Sequence, residues 1–270
     1  MLRSPNKGNL DGAIVEFRAA IRLKPNYAEA HNGLGVMLKL KGDAEGAIAE
    51  YRLATRLKPD YFYGHYDLGR ALQAKGDAEG ATIELREAVR LKPDDVDAHV
   101  ELGNALFKRD VDAAIVEFRE AVRLQPDDAQ AKARLRDAMN EREASNRDFS
   151  GLAYLVLENC DKAIADFREA IRLRPEDAEW HAHLSDALRC KGDLDGALAE
   201  SQEAVRLEPG LAWAHYQLAK ALEARGKKRA AFDEYERARN LNPNDKSISE
   251  EYQRSLKELF AAPAAKSSNL

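Results

Sequence analysis

The stretch "AEAHNGLGVMLKLKGDAEGAIAEYRLATRLKPDY" (residues 28–61) carries two apolar runs with helical spacing and a break between them. Leu34, Leu38 and Leu40 lie on the first run; Ala47, Ile48, Tyr51 and Leu57 lie on the second. Lys41-Gly42-Asp43 between them reads as a helix stop followed by a helix start. Glycine takes the left-handed conformation that ends a helix, and an aspartate side chain accepts from the free N–H groups that begin one. Pro59 stops the second run because it lacks an N–H and clashes with the preceding turn, and Asp60 is placed to cap the next helix. The stretch is predicted to fold as helix–turn–helix.

The unit recurs. Prolines closing runs of the "AIRLKP" type stand at Pro25, Pro59, Pro93, Pro126, Pro175, Pro209 and Pro243, spaced by 34, 34, 33, 49, 34 and 34 residues. A fixed period of this length marks a stacked array in which each helical pair buries its apolar faces against its neighbours. With Ala28 as position 1, full units run 28–61, 62–95, 96–128, 144–177, 178–211 and 212–245. Met1 falls at position 8, so residues 1–27 read as a truncated first repeat whose second helix lies in residues 10–24. The 33-residue unit lacks the turn glycine in "LFKRDVDAA" (106–114), which predicts a tighter turn and a slight tilt of the helix after it.

The long gap contains "AQAKARLRDAMNERE" (129–143), where Ala129, Leu135 and Met139 are spaced like the core of a first helix. Residues 145–148, "SNRD", read as a break, with the next first helix starting near Asp148. An inserted linker helix over 129–143 is therefore expected, with one long helix through the break as the alternative. Either form predicts a change of direction of the superhelix near residues 129–148. Residues 246–260 read as a capping helix with Tyr252 and Leu256 in its core, and residues 261–270 as a disordered tail.

Composition narrows the function classes. With 33% charged and 44% apolar residues the chain is expected to fold and stay soluble. It has no apolar run of membrane-spanning length, and "MLRSPNKGNLDGA" has no secretory pattern. A net charge of −5 gives no general attraction to nucleic acid or to anionic membranes. Two cysteines, Cys160 and Cys190, stand at different repeat phases; they are read as reduced thiols of a cytoplasmic protein with no disulfide framework.

His31, His65, His99, His181 and His215 all occupy position 4. Equivalent positions of stacked helices stand about 8–10 Å or more apart, whereas metal ligands converge to about 2 Å from the ion. These histidines are therefore read as packing residues. His183 alone is out of phase, with no obvious partner. Most glycines also follow the repeat, and no phosphate-binding loop or nucleophile motif occurs. No catalytic residue, metal or cofactor is expected.

The repeat resembles the tetratricopeptide repeat (TPR), W-x₂-L-G-x₂-Y followed by A-x₃-F and a closing proline. Residues 28–61 match it with His31, Leu34, Gly35, Leu38, Ala47, Tyr51, Ala54 and Pro59. Residues 62–95 match it with His65, Leu68, Gly69, Leu72, Ala81, Leu85, Ala88 and Pro93, and Gly151 and Tyr154 match the glycine and tyrosine directly. His replaces Trp five times, Ser185 and Ala219 replace the glycine, and Ser201 replaces the aromatic residue.

The resemblance covers nearly the whole chain. It implies an all-α, right-handed superhelical solenoid, interrupted by an extra helix near residues 129–143. It also implies a non-catalytic protein–protein interaction scaffold that holds a peptide or protein segment in a concave groove. In this family positions 2, 5, 9 and 12 of the first helices face that groove. Here the resemblance assigns to it Asn32, Val36 and Lys39, then Tyr63, Tyr66, Arg70 and Gln73, then Val100, Asn104 and Phe107. In the C-terminal array it assigns Asp186, Arg189, Trp213, Tyr216 and Lys220.

Tyrosine and arginine are frequent binding hot spots, so Tyr63 and Tyr66 lead the candidates. The family's clamp of Lys at position 5 and Asn at position 9 is not present, because position 5 holds Asn32, Tyr66, Val100, Asp148, Ala182 and Tyr216. A chaperone-tail ligand is therefore not expected. Two alternatives stand beside the groove. The chain is the repeat portion of a larger enzyme such as a repeat-bearing glycosyltransferase, or it self-assembles as a homo-oligomer through its N-terminal flank.

Overall fold

A computed structural model describes residues 7–260, and every element among them is an α-helix. The chain divides into two compact units, Met1–Met139 and Asn140–Leu270. In the first lie α1 (Lys7–Leu23), α2 (Ala28–Lys41), α3 (Ala44–Leu57), α4 (Phe62–Lys75), α5 (Ala78–Leu91), α6 (Val96–Leu106) and α7 (Val111–Leu124). A long helix, α8 (Ala129–Val156), begins there and continues into the second unit. That unit holds α9 (Cys160–Leu173), α10 (Ala178–Lys191), α11 (Leu194–Leu207), α12 (Ala212–Ala224), α13 (Lys228–Leu241) and α14 (Lys246–Phe260). The expected start of the first repeat and the expected disordered tail (261–270) lie outside the described residues.

The helix starts follow from local chemistry. Asp43, Asp77 and Asp193 each accept the N–H of the residue three further on, and Gly42, Gly76 and Gly192 before them hold φ of 91°, 88° and 85°. Asp60 does not take the expected cap position of α4. Tyr61 stands there and makes no side-chain cap. Pairs close in through small residues. A Cβ on Gly103 would come within 2.5 Å of the Phe118 ring, and one on Gly151 within 2.6 Å of Phe167. In α10 and α11 both members of this contact are serines. Ser185 and Ser201 are buried, and both donate to the Ala197 carbonyl.

The structure corrects the reading of residues 129–148. No break occurs at Ser145–Asp148, because α8 runs through them for 28 residues. Serine and asparagine cost only a few tenths of a kcal/mol inside a helix. Arg147 is held by Glu143 at 2.9 Å and by Asp166 of α9 at 3.2 Å. Ala144 is fully buried and packs with Ala170 and Trp180. The buried face of the first turns is Ala131, Leu135 and Ala138, whereas Ala129 and Met139 are exposed. Without its turn glycine, α6 ends at 11 residues rather than the 14 of α4, and Arg109 and Asp110 N–H groups both bond the Leu106 carbonyl at 2.8 Å.

A second correction concerns the cysteines. Cys160 at the start of α9 and Cys190 near the end of α10 form a disulfide, with Cα atoms 5.9 Å apart. Their phases differ, but stacking brings the start of one second helix against the end of the next first helix. The same junction carries Lys191–Asp161, and its counterparts carry Lys41–Asp11 and Lys75–Glu45. The inference from two cysteines to a reducing compartment thereby loses its basis.

Closing a loop of this span is worth about 3 to 4 kcal/mol in the chain-entropy account. Dithiothreitol is expected to lower the urea stability of the second unit by that amount, and equal midpoints with and without reductant would show that the bridge does not form. Glu158 sits at φ 54° in the turn between α8 and α9, the conformation its counterparts reach with glycine. Glu158→Gly is expected to raise stability by about 1 kcal/mol. An unchanged or lower midpoint would show that no left-handed penalty is being relieved.

Candidate functional site

The position-4 histidines build the scaffold under each candidate groove. His65 Nδ1 lies 2.7 Å from Glu84 on the second helix of its own pair, and its Nε2 lies 2.9 Å from the Pro59 carbonyl of the preceding turn. His31 meets Glu50 and Pro25 in the same way, His99 meets Glu117 and Pro93, His181 meets Glu200 and Pro175, and His215 meets Glu234 and Pro209. Carboxylates and carbonyls only accept, so in His65, His99 and His181 a ring that satisfies both donates from both nitrogens, which is the imidazolium form. For His65 and His181 burial opposes the charge, and the carboxylate and carbonyl bonds outweigh it. For His99 the bond to Glu117 is the largest influence. All three pKa values are raised.

A second set of polar contacts links neighbouring first helices. Asn32 donates to Asp67 at 2.9 Å, Arg70 pairs with Glu101 at 3.1 Å, and His183 meets Asp148 at 2.7 Å. His183, expected to lack a partner, therefore has one, and its ring also lies 5.6 Å from that of Phe167. The Asp67 carboxyl is raised by burial, which outweighs the bond from Asn32.

Within the first unit, the candidates separate by exposure. Asn32 is buried and spent on Asp67; Val100 is buried beside Ala121 and Ala131. Neither is free for a ligand, because the neighbouring helix covers it. Val36 is half-buried against the core and Lys39 is exposed. Along α4, Tyr63, Tyr66, Arg70 and Gln73 share one face. Tyr63 is 55% exposed, while Tyr66 is half-buried and stacks on Phe62 at 5.6 Å with 15° between the rings. Arg70 sits 5.4 Å from the Tyr66 centroid. Burial pushes the Tyr66 hydroxyl up to about 12, so it stays neutral. Gln73, Asn104 and Phe107 meet at a cavity of about 630 Å³, which Lys108 of the α6–α7 turn and Arg134 and Asp137 of α8 complete. Repeat phase does not point to the α8 residues because the helix that carries them breaks the period.

Within the second unit, Asp186 and Arg189 pair with each other, and Trp213 stacks on Tyr216 at 5.1 Å. Tyr216 is buried, packed between Trp213 and Tyr235, so only its neighbours Trp213 and Lys220 remain partly open. No group of three or more metal-ligating side chains occurs among the described residues, and no helix there is long and apolar enough to cross a membrane.

This geometry, paired helices stacked in phase with first helices lining one face, defines a helical-repeat scaffold. Family models described as TPR repeat match residues 6–42, 37–76 and 69–109, and others described as tetratricopeptide repeat match 150–212 and 213–245. The chain belongs to the tetratricopeptide repeat family, whose stacked helical pairs form protein-interaction scaffolds.

Among solved structures, the P58(IPK) TPR domain is 20% identical over 85% of this chain, with a TM-score of 0.50. This chain spans 64% of that domain's length. A tetratricopeptide repeat protein from Parabacteroides merdae is 17% identical over 93% of both chains, at 0.45. The TPR2AB domain of yeast Sti1, in a pHSP90 complex, is 20% identical over 85% of this chain and 98% of its own, at 0.40. At these identities the likeness is one of fold. No curated protein matches the chain.

The latches set a pH dependence. A raised folded-state pKa gives stability that is fully present below the unfolded histidine value of about 6.5 and is lost as pH rises through the folded value. Through His65, His99 and His181 the urea midpoint is expected to fall as pH rises above about 6.5. A flat profile would mean the rings are neutral.

Proposed function

We propose that the chain is a non-catalytic scaffold that binds an extended or helical segment of a partner protein on the concave face of its first unit. We read the first unit as carrying three repeats over 28–128 and the second as carrying three more over 144–245. The observation that carries the reading is the aromatic cluster on α4. Tyr63 lies 5.1 Å from Phe62 and 6.0 Å from Tyr61, and Tyr66 stacks behind it. Only Tyr63 among these rings is more than half exposed, so the others prop it toward solvent. Rings held by neighbouring rings lose little freedom on binding, which favours them as anchors. Arg70, Gln73, Asn104 and Phe107 continue the same face to the cavity, and Lys39 adds a cation on α2, the preceding first helix.

An affinity pull-down with the full chain beside a Tyr63→Ala/Tyr66→Ala variant tests the assignment. The variant is expected to lose the captured partner while keeping its helical circular dichroism. With the purified partner, Tyr63→Ala alone should weaken binding by about 2 kcal/mol. Unchanged affinity in the folded double variant removes this face as the site.

A further inference from the structure

The second unit has an open stacking edge. Position 6 of a first helix turns toward the pair before it. Gly33 there lies under the Phe17 ring, Asp67 accepts from Asn32, Glu101 pairs with Arg70, His183 meets Asp148, and Gln217 is buried. In α8 the same position holds Phe149, which is 77% exposed. α8 and α9 are the first pair of the second unit, so no pair of that unit lies on their outer side. Leu152 and Val156 continue the face of Phe149 at steps of three and four, and Leu157 follows past the helix end. Val156 is 84% exposed and Leu157 73%. Among the described large apolar side chains only Leu23 is more exposed than Phe149, Val156 and Leu157. Residues 149–157, "FSGLAYLVL", carry no charge in a chain that is 33% charged. A contiguous apolar face of this kind on a helix marks an association surface.

We propose that this face is an interface between two copies of the chain, with α8 packed antiparallel on α8 about a two-fold axis near Leu152. Two features select a second copy over a foreign helix. An uncharged apolar stripe matches itself, and a two-fold axis sets Phe149 of one copy against Val156 of the other at both ends. The ends of the stripe also differ in charge. Arg142 stands two turns before Phe149 on the same side of α8, and Glu158 lies exposed just past the last turn. There the negative end of the helix dipole disfavours a carboxylate. Antiparallel packing turns the Arg142 end of each copy toward Glu158 of the other and opposes the two dipoles. A parallel arrangement brings like ends together. The stripe of Phe149, Leu152, Val156 and Leu157 is smaller than a standard interface of about 800 Å² per partner, so the pair is weak, with a dissociation constant on the order of 10 to 100 μM.

Sedimentation equilibrium of the full chain tests this. The wild type is expected to rise from the mass of one chain toward that of two between about 2 and about 200 μM. Phe149→Ser/Val156→Ser should stay at the mass of one chain throughout. It should keep its helical circular dichroism, because both side chains already face solvent. Glu158→Lys reverses the charge at both ends of the pair and should weaken it about fivefold. A single-chain mass in the wild type up to the highest concentration overturns the proposal and leaves the face to another occupant. Association that survives Phe149→Ser/Val156→Ser, as association through the N-terminal flank would, also overturns it. So does growth beyond two chains, which a two-fold pairing forbids, or an unchanged affinity in Glu158→Lys. That last comparison decides alone if the double variant fails to fold.

Discussion

Five helical pairs are each locked to the turn before them through a single imidazole, and the α8–α9 pair has Arg147 in its place. The ring sits on a first helix, reaches the second helix of its pair through a glutamate, and reaches the closing proline of the preceding unit through a carbonyl. Three elements thus meet at one side chain with two donors. Within a pair the two helices close on each other where a phenylalanine, tyrosine or leucine of one fills the space over a glycine of the other, and pairs are held in register by this latch. Where the family places a tryptophan, this chain trades apolar area for a charged, directional contact. Hydrogen bonds of that kind are roughly twice as strong as neutral ones, but their worth depends on the ring keeping both protons.

The contacts between neighbouring first helices depend on the same stacking. With register set, a side chain on one first helix faces a fixed position on the next, giving Asn32–Asp67, Arg70–Glu101 and Asp148–His183. At the corresponding place in the last full pair, Ala182 offers no partner, and the Gln217 amide is buried without one among the described residues. The two units accordingly present different chemistry. The first has a ring cluster leading to a cavity; the second has a short aromatic shelf of Trp213 and Tyr216 beside Lys220.

Much of this is legible in the residues, because repeat phase encodes which face a side chain takes. The alanines Ala47, Ala81, Ala163 and Ala231 are buried as the period requires. The features that phase does not reveal lie where one phase meets a different phase of the next unit. Cys160 and Cys190 look unrelated within a unit, yet the stack brings them together. His183 looks unpaired in sequence because its partner belongs to the first helix of the preceding pair. Phase alone assigns Tyr216 to the groove, but rings on both sides cover it. Propensity alone reads Ser145–Asp148 as a break, and packing of Ala144 with the ion pairs of Arg147 decides it instead.

The bridge between Cys160 and Cys190 also bears on how the chain carries tension. Thirty residues of sequence separation are enclosed by a covalent link. A pull on the two ends passes through the sulfur atoms and leaves the enclosed α9 and most of α10 unloaded. Cleaving the link would release roughly 100 Å of hidden contour length, at about 3.3–3.6 Å per extended residue. Among the described residues no other junction between neighbouring pairs carries such a bond, so the rest of the array would extend under load while this segment stays short.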